Sequence, residues 1–91
     1  MKALKLKFYS DPGHGWLAVP MHFIERLNLL GVKFSAYSYQ SDSGETVYLE
    51  EDCDMPLFLR SLPKLGEYQV SFLGKTSNRS SRIRNLGRLS C

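Results

Sequence analysis

The chain has 91 residues, of which 43% are apolar, 12% aromatic and 23% charged, and its formal net charge is +3. This composition is typical of one folded domain and excludes a disordered or fibrous chain. No apolar run approaches the roughly 20 residues that a membrane span needs, and the N-terminus lacks the apolar run of a signal peptide. We therefore expect a cytoplasmic protein.

The first predicted elements are a β-hairpin and a helix. Residues 2–9 alternate apolar residues with lysines, which indicates a half-buried strand. The sequence Asp-Pro-Gly-His at 11–14 predicts a type II turn, because proline presets φ and glycine accepts a positive φ. A second strand at 16–19 pairs with the first. A helix over 20–29 follows, with its proline in the first turn, and Gly31 ends it.

A second β-hairpin is predicted in the middle of the chain. Residues 33–40 and 45–50 are rich in strand formers and flank a short loop of turn-forming residues. In the register that we expect, Tyr37 lies opposite Tyr48, and Tyr39 lies on the same face as both. One face of the hairpin is then aliphatic and the other is rich in tyrosine.

A second helix and a last strand complete the domain. Asp54 is expected to be the N-cap of this helix, with Pro56 in its first turn, and Pro63 and Gly66 end it. A strand over 68–73 follows, and the chain then becomes polar and basic.

These elements give the order ββαββαβ, which predicts an α+β domain with a mostly antiparallel sheet and two helices on one face. We assign residues 1–74 to this domain. Residues 75–91 form a basic C-terminal tail, which is part of the same domain or flexible.

Charge is divided along the chain. Residues 42–54 carry six acids and no base, whereas residues 68–91 carry five bases and no acid. Four of these bases are arginines, whose planar fork binds phosphate or carboxylate at two points. The tail therefore suits a nucleic acid or an acidic protein surface, but it can also be solvated or fold back on 42–54. Its bases are Lys75, Arg79, Arg82, Arg84 and Arg88.

Three segments carry a resemblance to known proteins: SDPGHGWLAVP at 10–20, SAYSYQ with VYLEEDCD between 35 and 54, and SNRSSRIR at 77–84. They resemble a family of small uncharacterised proteins encoded by bacteriophages and other mobile elements, over most of the chain. The resemblance implies an accessory phage protein that acts in the host cytoplasm by binding, for example as an inhibitor of host machinery or of a defence system such as a CRISPR complex. It supplies no catalytic residues.

His14 has two interpretations. With Asp11 three residues before it, His14 could act as a general base or a metal ligand. Gly13 and Gly15 flank it, however, and two glycines loosen the backbone that a catalytic pair needs. We therefore favour an imidazole that faces solvent and contacts a partner.

The acidic segment also has competing interpretations. Glu50, Glu51, Asp52 and Asp54 could bind Mg²⁺ or Ca²⁺, form the solvated start of a helix, or face a partner. They lack the glycine and the closing glutamate of a calcium loop, so we favour the helix start and expect no metal or other cofactor. Cys53 is not expected to be a nucleophile, because adjacent carboxylates raise the pKa of a thiol.

Both cysteines are expected to be free thiols. Cys53 lies among acids in the middle of the chain, and Cys91 is the last residue, where chains usually fray. Free thiols fit a reducing compartment.

Four aromatic residues suggest a binding surface. Trp16, Tyr37, Tyr39 and Tyr48 either form a stacking platform for bases or pack beneath a helix or the tail. The same platform would serve a protein interface. Our leading hypothesis is a non-enzymatic phage protein that binds a host protein complex. The alternative is a nucleic-acid binder that uses these tyrosines and the tail, and a metal-dependent hydrolase is the least favoured.

Overall fold

The computed structural model describes residues 2–35 and 38–76, and the backbone of 87–88. The fold is an α+β domain with two helices on one face of a mostly antiparallel sheet, so the predicted fold class is confirmed. A 3-10 turn, Leu62–Leu65, follows the second helix. The elements are β1 (Lys2–Ser10), β2 (Gly15–Pro20), α1 (Met21–Leu29), β3 (Tyr39–Gln40), β4 (Thr46–Glu50), α2 (Asp54–Ser61), β5 (Tyr68–Thr76) and β6 (Gly87–Arg88).

The sheet has the strand order β5-β1-β2-β4-β3-β6. The β1–β5 pair is parallel, and every other neighbouring pair is antiparallel. β5 therefore lies at one edge of the sheet, and it continues to Thr76, past the boundary predicted at residue 74. Within the described residues, no helix is long and apolar enough to cross a membrane.

The hydrophobic core lies between the sheet and the two helices. Alternate residues of a strand point to opposite faces, so β1, β2 and β4 each present one apolar row to the helices. In α1, apolar residues at positions i, i+1 and i+4 form the facing stripe. The buried core residues are Leu6, Leu17, Val19, Phe23, Ile24, Leu27, Val32, Phe34, Val47, Leu49, Phe58 and Leu62.

The turn between β1 and β2 differs from the predicted type. Gly13 does not have the positive φ that a type II turn requires, so that prediction is wrong. Instead, the Asp11 carboxylate accepts hydrogen bonds from the backbone N–H groups of Gly13 and His14, both at 2.9 Å. Aspartate side chains commonly build turns in this way, and here the side chain fixes the turn without a left-handed residue.

The register of the second hairpin also differs from the prediction. Tyr39 pairs with Tyr48, so the prediction that Tyr37 lies opposite Tyr48 is wrong; Tyr37 itself lies outside the described residues. The loop lies one residue later than expected, at residues 42–45, because the Ser41 N–H donates to the Thr46 carbonyl at 2.8 Å and closes it. The predicted division of faces is confirmed for Tyr39 and Tyr48, which lie opposite the core.

Asp54 explains why the described residues 33–35 and 38 lie outside the strand that was predicted over 33–40. Its buried carboxylate accepts the Ser35 N–H at 2.9 and 3.1 Å, the Ser35 hydroxyl at 2.8 Å and the Ser38 hydroxyl. The Ser38 oxygen in turn accepts the Glu50 N–H at 3.1 Å. A side-chain network therefore replaces part of the strand ladder here.

The prediction that Asp54 is the N-cap of α2 is also wrong, because its carboxylate binds Ser35 and Ser38 and not the helix backbone. Asp54 is the first residue of α2, and Cys53 occupies the N-cap position without a side-chain hydrogen bond. The carboxylate of Glu50 accepts the N–H groups of Asp52 and Cys53 at 2.9 and 3.0 Å, so it satisfies the backbone just before the helix.

Candidate functional site

The sheet face opposite the helices, which we call the open face, carries the candidate site. Strand alternation and register place three lysines and three tyrosines on it. The lysines are exposed and the tyrosines are half-buried. In the described strands, Glu50 is the acidic residue of this face, and it is only 8% exposed. The lysines and tyrosines are Lys5, Lys7, Lys75, Tyr9, Tyr39 and Tyr48.

Two edge-to-face contacts hold the aromatic rings of the open face. The ring centroids of Tyr9 and Tyr48 are 5.9 Å apart, and those of Trp16 and Tyr39 are 6.4 Å apart, each pair at an interplanar angle of 73°. These are favourable geometries for aromatic pairs. Trp16 is only 2% exposed, so the structure places it beneath the aromatic surface and leaves the tyrosines to present their rings.

A groove of about 390 Å³ lies on the open face across β1, β2 and β4. Lys5, Lys7 and Tyr9 line it from β1, and Thr46 and Tyr48 line it from β4. Its volume is in the range of small-ligand sites. The lysines supply positive charge and the tyrosines supply ring surface, and none of the described residues that line the groove is acidic.

Tyr48 contributes a phenol to this groove. Partial burial, and to a smaller extent the neighbouring Tyr9, raises the pKa of the Tyr48 phenol above its ordinary value of 10.0. Tyr48 is therefore neutral at physiological pH. It can offer a ring and a hydrogen-bonding hydroxyl to a ligand, but no negative charge.

His14 is exposed next to this surface. Its ring lies 6.0 Å from that of Trp16, and its Nδ1 is 3.8 Å from Oε1 of Glu50. Gly15, which follows His14, is the first residue of β2 and pairs with Ser10. A Cβ at Gly15 would lie 2.5 Å from Phe8 Cζ, and the Gly15 carbonyl accepts the N–H of Glu51 at 3.0 Å. A side chain at residue 15 would therefore require the Phe8 ring to move.

The structure divides the acidic segment. Glu50 and Asp54 are buried and hydrogen-bonded, whereas Glu51 and Asp52 are exposed. The interpretation of all four as a solvated helix start therefore holds for only two of them. In the described part of the chain, no three His, Cys, Asp or Glu side chains are grouped as metal ligands.

Cys53 is exposed and unpaired in the structure. Its pKa is raised above the ordinary 9.0 by desolvation from neighbouring atoms and by the negative charges of Glu50, Asp54 and Asp52. Desolvation is the largest cause, although the residue lies at the surface. The negative charges of the neighbouring carboxylates, and a hydrogen bond to Glu50, raise the pKa of the thiol further. A raised pKa lowers the thiolate fraction, which is the reverse of what a nucleophile needs.

Comparison with protein-family models, curated proteins and solved structures gives a single result. No match is found in any of the three.

The structure describes only part of the predicted basic tail. Lys75 lies in β5 opposite Tyr9, exposed on the open face. The backbone of Arg88 pairs with Tyr39, so the tail reaches β3 and does not pair with 42–54 in the described residues. Arg79, Arg82 and Arg84 lie outside the described residues, as does Cys91.

Sequence reasoning did not include Lys5, Lys7 and Tyr9 among the site residues. The signal was present in the alternation of β1, since these residues occupy the positions between its apolar ones. What the sequence lacked was the strand order, which places β1 next to β2 and brings Tyr9 to Tyr48.

Proposed function

We propose that this chain is a non-enzymatic accessory protein of a bacteriophage or other mobile element, which acts in the host cytoplasm and binds a host macromolecule with the open face of its sheet. The observation that carries the proposal is the groove in which Lys5 and Lys7 lie beside Tyr9 and Tyr48. Single-stranded nucleic acid is the ligand class that this combination fits best.

The side chains of the groove match the two parts of a nucleotide. An ammonium group such as that of Lys5 or Lys7 attracts a phosphate, and a tyrosine ring stacks on an unpaired base. In a duplex the bases already stack on one another, so their faces are not free for Tyr9 or Tyr48. A single strand is therefore favoured over a duplex.

The charge of the open face supports the same ligand class. Lys5, Lys7 and Lys75 are exposed, and the acidic residue of this face in the described strands, Glu50, uses one carboxylate oxygen to accept two backbone N–H groups. A polyanion would therefore meet three cations with little opposing charge. The acids Glu51 and Asp52 belong to the turn before α2, outside the strands.

The test is fluorescence anisotropy with labelled single-stranded DNA, single-stranded RNA and duplex DNA at several salt concentrations. Three lysines that each neutralise one phosphate give a log-log salt slope of roughly −2 on single strands. We expect measurable binding with this slope, and weaker binding to the duplex. Absence of binding at low salt, or equal affinity for the duplex, would contradict the proposal.

A protein complex of the host is the second candidate partner. The supporting observation is the exposure of Phe72 and Leu73, at 49% and 45%, next to each other in the edge strand β5. Adjacent residues of a strand point to opposite faces, so the β5 edge exposes a large apolar side chain on each side of the sheet, as protein-binding surfaces often do. The test is affinity capture from nuclease-treated host lysate, in which the recovery of no protein would count against this candidate.

A further inference from the structure

A furrow runs along β5 on the helix side of the sheet. It consists of two cavities, of about 500 and 260 Å³, which share Leu59 of α2 as a wall residue. Alternate residues of β5 form its floor: Tyr68 and Val70 in the smaller cavity, and Phe72 and Gly74 in the larger. The two cavities therefore follow one another along the strand, and we call them together the α2–β5 furrow.

The furrow lies beside a free strand edge. β5 is the last strand of the sheet, and in the described chain it pairs only with β1. Its nine residues pair one to one from Tyr68 to Thr76, with no bulge, proline or acidic residue, and Lys75 is its only charged residue. Proteins usually protect such an edge with charges, prolines or bulges. In the described residues, the β5 edge carries only one such device, Lys75 near its end, so the rest of the strand is suited to accept a strand from a partner.

We propose that β5 and the α2–β5 furrow bind an extended segment of a partner protein, which adds to the sheet as a seventh strand. This inference rests on the second candidate function, a protein partner. A strand is favoured over a helix because only a strand satisfies the free N–H and C=O groups of the β5 edge. A helix satisfies its own backbone and would leave that edge unpaired.

The spacing of the cavities defines the partner sequence. The residues that form their floors are four apart in β5, which corresponds to about 13 Å along a strand. Side chains at i and i+4 of an added strand point to the same face at this spacing. The partner segment therefore carries bulky apolar residues at i and i+4, one for each cavity.

Two acidic residues at the furrow indicate which residues the ends of the partner segment carry. Glu51 lines the larger cavity and Glu67 lines the smaller one, and both are exposed. A basic residue two positions outside each apolar residue would lie on the same face, near one of these carboxylates. The partner segment is thus an alternating strand with apolar centres and basic ends.

The test uses two nine-residue peptides of the same composition and the full chain labelled with ¹⁵N. The first is Lys-Thr-Phe-Thr-Ser-Thr-Phe-Thr-Lys, whose phenylalanines share one face at i and i+4. In the second, the later phenylalanine exchanges places with the preceding threonine, so the two rings lie on opposite faces. We expect the first peptide to shift the amide signals of β5 and α2, to slow hydrogen exchange at the outer β5 amides, and to bind about tenfold or more tightly than the second.

Variants of the chain separate this surface from the others. Phe72→Ser should weaken binding of the first peptide, whereas Leu29→Ser, which alters a residue of α1 that is 86% exposed, should not. The double variant Lys5→Glu/Lys7→Glu should lose nucleic acid and still bind the peptide, so failure at either surface is recognised separately.

Other occupants of the furrow would overturn the inference. Equal binding of both peptides, or binding of neither, would contradict the i, i+4 requirement. Dimerisation in the absence of peptide that protects the β5 amides would show that a second copy of the chain takes the edge. A preference for a helical peptide of the same apolar content would exclude strand addition.

Discussion

Replacing Asp54 by alanine should destabilise the fold strongly, although the residue is charged and lies at a helix terminus. Asp54 is only 2% exposed, and its carboxylate accepts the Ser35 N–H, the Ser35 hydroxyl and the Ser38 hydroxyl. A hydrogen bond to a charged group contributes about 1.5–3 kcal/mol, and a buried donor left without an acceptor costs about 1–3 kcal/mol. The two hydroxyls can rotate towards other acceptors, so we expect a total loss of about 3–4 kcal/mol.

This loss is large for a domain of 91 residues, whose total stability is of the order of 5–14 kcal/mol. Urea unfolding followed by circular dichroism should show a midpoint lowered by roughly 1–3 M. Asp54→Asn keeps one acceptor oxygen and should lose about half as much. The matched control Asp52→Ala, at an exposed acid two residues away, should change stability by less than about 1 kcal/mol. A change of the same small size in Asp54→Ala would refute the role of this network.

Three further predictions concern other parts of the chain. Gly15→Ala should lower stability in urea unfolding by about 1 kcal/mol, because its Cβ would meet the end of the Phe8 ring at 2.5 Å and the ring must move. Gly74→Ala, with no atom within 4 Å, should be neutral or stabilising, and equal effects of the two variants would contradict the packing. The raised pKa of Cys53 predicts that alkylation of this thiol, measured in the variant Cys91→Ser, reaches half its maximal rate at a higher pH than alkylation of a free cysteine. A half-maximal rate at or below the pH that a free cysteine shows would contradict this prediction. Because burial raises the pKa of Tyr48, the folded state holds this proton more tightly than the unfolded state, so stability should fall as pH rises above about 10. Tyr48→Phe should reduce this fall in pH-dependent unfolding, and an unchanged fall would exclude Tyr48 as its source.

The secondary structure followed from local patterns. Alternation in β1, the apolar spacing of α1, and glycines or prolines at element ends were sufficient for the order ββαββαβ. These signals are local because side-chain periodicity and backbone φ restrictions act within a few residues. The predicted ends agree with the structure to within one residue for β1, β2 and α1.

The errors came from interactions between distant residues. Asp54 was expected to cap its own helix, but it binds Ser35 and Ser38, which are 19 and 16 residues earlier in the chain. That network keeps Ser35 and Ser38 of the strand expected at 33–40 out of the ladder. The hairpin register then depends on the loop closed by Ser41. No periodicity in the sequence contains this information, since the partners become neighbours only in the fold.

Part of the candidate site could be predicted from the sequence. Tyr39 and Tyr48 were assigned to one face correctly, whereas Lys5, Lys7 and Tyr9 join them only through the strand order. The proposed binding residues therefore shift from the tail arginines to the lysines and tyrosines of the sheet. The groove on the open face is formed by residues of β1, β2 and β4, before the tail begins.

The most direct test of the central claim is the affinity of charge-reversal variants for a labelled single-stranded oligonucleotide, measured by fluorescence anisotropy at low salt. Lys5→Glu/Lys7→Glu alters the groove, and Lys33→Glu/Lys64→Glu makes the same change in net charge at two exposed lysines outside the strands. We predict a loss of about tenfold or more for the first variant and a much smaller loss for the second. Equal losses would show that only net charge matters, and an unchanged affinity of Lys5→Glu/Lys7→Glu would contradict the open face as the binding surface.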